Sequence, residues 1–152
     1  MTYQALIYRL SSWATAHPMV VRFTDGELEL ADLDKDSPTP HVHAALLGVS
    51  YGENSRTYEV EVYVMELYRE QGDEALAVRE ALNNTLLIFE DLLAEVRNGF
   101  QSFGRMEVFP LLPVRPTPFI EEHNRVLVGV QATMQLQTPW TADACDSPVG
   151  YA

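Results

Sequence analysis
The chain has 152 residues, 47% of them hydrophobic and 21% charged, which fits one domain with a sizeable core and leaves no room for two of ordinary size. Lys35 and nine arginines stand against 22 acidic residues, and the net charge of −12 argues against a nucleic-acid binder or a ligand of anionic membranes, both of which need basic side chains. The single cysteine, Cys145, permits no intrachain disulfide, and charged residues cut every apolar run short of a membrane span, so neither a secretory leader nor a spanning helix is expected.

From Tyr3 to Ala16 the residues Tyr3, Leu6, Ile7, Leu10, Trp13 and Ala14 recur at helical spacing behind Thr2, a capping residue. The helix must stop by His17, because Pro18 disfavours helical backbone in the residue before it. Met19–Phe23 and Glu27–Leu30 flank Thr24, Asp25 and Gly26, which reads as a short hairpin or a strand and turn, and 31–40 reads as an exposed acidic loop. His41–Ser50 and Arg56–Leu67 form two extended runs around the turn-rich 51–55. In the second run Tyr58, Val60, Val62 and Val64 alternate with Thr57, Glu59, Glu61 and Tyr63, the pattern of a half-buried strand.

After Gly72, Asp73 is placed to cap a long helix whose stripe Leu82, Leu86, Phe89, Leu93 and Val96 is expected to face the sheet, and Asn98 and Gly99 end it. Residues 100–119 carry Pro110, Pro113, Pro116 and Pro118 and read as an extended, irregular arm with a short edge strand. The last strand, Arg125–Gln137, is about 40 Å long at roughly 3.3 Å per residue, so part of it is expected to project. The fold class is therefore α+β: a mostly antiparallel sheet of long hairpin strands, packed by an N-terminal helix and one long central helix. It forms a single domain over 1–138, followed by a flexible tail, 139–152.

Chemistry-bearing clusters are sparse. His41 and His43 share one face of a strand, as a two-imidazole metal site requires, but no spacing supplies a third ligand from His17, His123, Glu59 or Glu61. They read as solvent-facing strand residues. Asp32, Asp34 and Asp36 have the spacing of an EF-hand loop, yet Ser37 replaces its glycine and His43 its glutamate. Glu59 with Glu61 and Glu121 with Glu122 are carboxylate pairs without environments that would separate their pKa values. No phosphate loop or nucleophile elbow is present, so no catalytic residue, metal or cofactor is expected.

The segments Trp13-Ala-Thr-Ala-His-Pro-Met19, Val60-Glu-Val-Tyr-Val-Met-Glu-Leu67, Glu90-Asp-Leu-Leu93, Pro118-Phe-Ile-Glu121 with Gly129-Val130, and Cys145-Asp-Ser-Pro148 resemble small structural proteins of phage necks and tails. The nearest named group is the tail terminator, or tail completion, family of long-tailed bacteriophages. The resemblance implies a homo-oligomeric ring, usually hexameric, made in the host cytoplasm and resident in the virion. Its partners would be the tail tube protein and the neck or connector proteins, with DNA passing through the ring without specific binding. A head-tail connector, neck or baseplate component is the alternative within that class, and a small-molecule binding module is the alternative outside it. A ring needs two unlike, complementary surfaces. The expected contacts are Arg115, Phe119 and Glu122 on the proline arm and Arg125, Gln131 and Gln135 on the last strand.

Overall fold
The computed structural model describes residues 2–27, 38–68, 74–122 and 126–141, and of Tyr68, Glu122 and Val126 only the backbone. The Asp32–Asp36 run, the Asp73 cap, His123, Arg125, Cys145 and most of the expected tail lie outside the described residues. The fold is α+β. Helix α1 (Tyr3–Ala16), β1 (Arg22–Asp25), β2 (His41–Tyr51), β3 (Ser55–Tyr68), helix α2 (Glu74–Arg97), β4 (Phe109–Pro110), β5 (Thr117–Glu122) and β6 (Val126–Pro139) follow in order.

The helix ends follow from their residues. Thr2 Oγ1 accepts the Ala5 N–H at 3.2 Å, and His17 turns extended before Pro18. At the far end of α2, Gly99 adopts φ +67°, its N–H bonds to Val96, and the Phe100 N–H bonds back to the Glu95 carbonyl. This pair of bonds is a Schellman closure, and it swings Phe100, itself at φ 53°, fully into the core.

The sheet runs β1-β2-β3-β6-β4, with β5 pairing the same edge of β6 as β4 further along. β3 and β6 pair antiparallel from Ser55↔Pro139 to Tyr68↔Val126, so the long last strand is consumed in pairing and does not project alone. The strand also outlasts the expected domain end: Pro139 pairs with Ser55, and the Trp140 N–H reaches the Asn54 carbonyl. Toward the Tyr68–Val126 end of this seam Gly129 passes so close to the Val64 carbonyl that any Cβ would strike it. Of the two expectations for 19–30, the strand followed by a turn fits the described residues: β1 runs through Thr24 and Asp25 to the turn at Gly26 and pairs in parallel with β2, while Leu28, Glu29 and Leu30 lie outside the described residues.

Both helices cover one face of the sheet. Leu6, Leu10 and Trp13 of α1 join Val42, Val60, Val62, Val130 and Met134 in a single core with Ile88, Phe89, Leu92 and Val96 of α2. The expected α2 stripe holds at Phe89 and Val96 and is displaced at Leu82, Leu86 and Leu93. Ala81, Thr85, Ile88, Phe89, Leu92 and Val96 are buried, Leu82 and Leu93 are half-buried, and Leu86 is 37% exposed. Two apolar stripes compete in this helix, and the buried one runs through a threonine. Its hydroxyl donates to the Leu82 carbonyl at 3.0 Å, so burying Thr85 strands no polar group, while Ala81 and Thr85 are small enough for close approach.

Candidate functional site
The histidine pair is the first place to look for chemistry, and the reading of it as solvent-facing is overturned: His41 and His43 are both fully buried. They lie on the sheet face away from the helices, where β1 and the turn at Gly26 close over them. Thr24 Oγ1 stands 2.6 Å from His41 Nε2 and 2.6 Å from His43 Nδ1, and His43 Nε2 is 2.9 Å from the Gly26 carbonyl. A carbonyl can only accept, so His43 carries its proton on Nε2 and its Nδ1 accepts from the Thr24 hydroxyl. That hydroxyl has one proton, so His41 Nε2–H must donate to it.

The result is a one-way chain of hydrogen bonds that starts at His41 and ends on the Gly26 carbonyl, and it leaves His41 Nδ1 a buried nitrogen with no partner among the described residues. Burial, followed by repulsion from Arg22 and His43, pushes the His41 pKa down to about 4. Burial also lowers that of His43, against the opposing pull of the Gly26 carbonyl and Asp25. Two neutral imidazoles locked on a threonine pin β1 to β2. The nitrogens that could converge on an ion converge on the Thr24 hydroxyl instead, and no group of three or more His, Cys, Asp or Glu is arranged for a metal among the described residues.

A second cleft, about 410 Å³, lies between the end of α1 and the last turns of α2, walled by Trp13 and Phe103. His17 donates from Nε2 to Asp91 Oδ2 at 2.8 Å, and its Nδ1 accepts the Met19 N–H at 3.1 Å. A histidine, an aspartate and Ser102 share this cleft, yet both ring nitrogens are spent, so no lone pair is left to activate the serine. The dyad ties the α1–β1 connection to α2.

The most unusual surfaces are the two outer edges of the sheet. On one side β1 pairs only with His41–Ala44, so from Ala45 to Tyr51 the outer edge of β2 has no strand beside it among the described residues. The Ala44 carbonyl accepts the Gly26 N–H across that edge, and the two-residue alternation aims the Leu46 backbone the same way. A bulge at Leu47 breaks the register with β3. Leu46, Leu47, Val49 and Tyr51 are between 37% and 60% exposed. A pocket of about 620 Å³ wraps this edge, with Asp25, Glu27 and Glu61 around Leu46 and Leu47.

On the other side β4, the following arm and β5 line the edge of β6. Phe109, Leu111, Leu112 and Ile120 are between 40% and 57% exposed there. The expected interface residues divide around it. Arg115 and Gln135 are exposed, and Gln131 is half-buried and shares a shallow pocket with Arg115. Phe119 is half-buried, its ring edge-on to Tyr63 at 6.2 Å. The Glu122 side chain and all of Arg125 lie outside the described residues.

The sequence reasoning did not find the β2 edge. Ala44-Ala45-Leu46-Leu47 has no polar alternation to mark an open edge, and the bulge that breaks its pairing is declared by no sequence pattern. No protein-family model and no curated protein sequence matches this chain.

Proposed function
We propose that the chain is a structural protein of a tailed-phage virion, a tail terminator whose subunits close into a ring that caps the tail tube and joins it to the neck. The observation that carries this reading is the pair of unlike sheet edges, both apolar and both exposed, on opposite sides of one subunit. A head-to-tail ring requires that arrangement, because each subunit must offer two different surfaces to its neighbours. The resemblance of the segments around Trp13, Val60, Glu90 and Pro118 to the tail terminator family supports the same role. A charge of −12 per subunit suits a lumen that must let DNA pass without holding it. A connector or baseplate component would use the same edges. A small-molecule module has less support, since the polar groups of the His17 cleft bind one another.

The test is genetic and structural. Phage lacking this protein should accumulate filled heads and tails that fail to join, and antibody against it should label the neck of complete particles. Complete, infectious particles made without it would overturn the reading.

A further inference from the structure
Each edge of the sheet has a shape, and the two shapes match. Among the described residues β1 fills the outer side of β2 as far as Ala44 and leaves a notch from Ala45 to Tyr51. On the opposite side β5 covers residues 126–131 of β6, while the level of the notch holds β4 and the arm that follows it. The registers fix the levels. Phe109 pairs with Gln137, which pairs with Thr57, which pairs with Ser50; Pro110 leads in the same way to Val49. The Leu111 N–H bonds to the Gln135 carbonyl, one step further along. Arg115 lines a pocket with Thr133, which pairs with Glu61, which pairs with Ala45. The segment Phe109–Arg115 therefore stands at the height of the notch, with its apolar end level with Val49 and its arginine level with the acidic pocket.

We infer that the occupant of the notch is the Phe109–Arg115 arm of a second copy of this chain, so that successive copies join β2 edge to β4 edge. This rests on the ring reading and names the surfaces that close the ring. Exposed Phe109, Leu111 and Leu112 of one copy cover exposed Leu46, Leu47 and Val49 of the next, and Arg115 enters the pocket of Asp25, Glu27 and Glu61. The contact is heterologous by charge. Two β2 edges brought together would set Asp25 and Glu27 against their own copies, whereas the arm brings a guanidinium suited to a carboxylate. Pro110 and Pro113 withhold N–H groups from the arm, so it meets the notch mainly through carbonyls and side chains, which limits uncontrolled sheet growth.

Sedimentation velocity up to about 1 mM protein tests this with exposed residues only: Arg115→Glu in one variant, Asp25→Arg with Glu27→Arg in another. Wild type should self-associate, each variant should associate about tenfold or more weakly, and an equimolar mixture should recover because each arm then meets an edge of opposite charge. A wild type monomeric throughout, or a mixture no stronger than its parts, overturns the inference. Association that survives both changes removes this surface while leaving a ring built elsewhere. The phage reading fails separately, if virions form without the protein.

Discussion

The two edges of the sheet differ in how they treat an unpaired strand. The β4–β5 edge is blunted: prolines at 110, 113, 116 and 118 remove backbone donors, and Phe119 folds inward onto Tyr63. The β2 edge beyond Ala44 has no proline and no lysine, only a bulge at Leu47. Natural sheets guard exposed edges, and one left open beside apolar side chains marks a place meant to be covered. One edge offers side chains with few backbone donors, and the other offers an open backbone for a partner to meet.

The comparison can be broken at its common floor. Phe89 is buried beneath β3 and β6 between the two edges, and Phe89→Ala should cost about 3 to 5 kcal/mol, read from urea unfolding. Both edges should loosen together in hydrogen exchange.

A pH shift acts on the β2 side through its buried histidines, while Glu66 on β3, whose pKa burial raises, contributes in the opposite sense. Unfolded histidine binds its proton near pH 6.5, whereas folded His41 stays neutral down to about 4. Between those values the unfolded chain holds more protons, so stability is fully present above 6.5 and falls as pH drops toward 4, by on the order of 3 kcal/mol. Unfolding midpoints at pH 7.5 and 4.5 should show this loss, and His41→Gln should reduce it. Arg22, His43 and Asp25 face the same cluster, and His43, also lowered, adds in the same direction.

Thr24→Val removes the central link of the histidine chain and leaves His43 Nδ1 without a donor. About 1 to 3 kcal/mol should be lost, with faster exchange of the Gly26 amide, which bonds to Ala44. Nitrogen shifts of wild type should show both imidazoles as the Nε2–H tautomer. The smallest effects sharpen the contrast most. Leu47→Lys and Leu111→Lys should each change subunit stability by no more than about 0.5 kcal/mol while weakening self-association.

Much of the architecture was legible because alternation and helical period are local signals. Val60, Val62 and Val64 on β3 and Val130, Ala132 and Met134 on β6 face the core as their spacing requires, and Thr2, His17 and Gly99 end their helices as their chemistry requires. What escaped depended on pairing. The buried face of α2 turned on one threonine satisfying itself within the helix. His41 and His43 are polar in any alternation pattern, and only the arrival of Thr24 and Gly26 from another part of the chain makes their burial tolerable. The candidate interface was half visible: Arg115 and the proline arm stand out in the sequence, but the notch proposed to receive them depends on β1 pairing no further than Ala44, which no local pattern states.

The position of β6 has a consequence for how the molecule is made. It is the last strand among the described residues, yet it lies inside the sheet and supplies the seam on which β3, β4 and β5 all depend. On the ribosome, β2 and β3 can meet as a hairpin early, but β3 keeps an open side until residues 126–139 emerge. Such late, long-range closure slows folding and leaves nascent chains prone to pairing with one another. A chain cut before Val126 should therefore aggregate, and synthesis at low temperature or with chaperones should raise the yield of the complete protein.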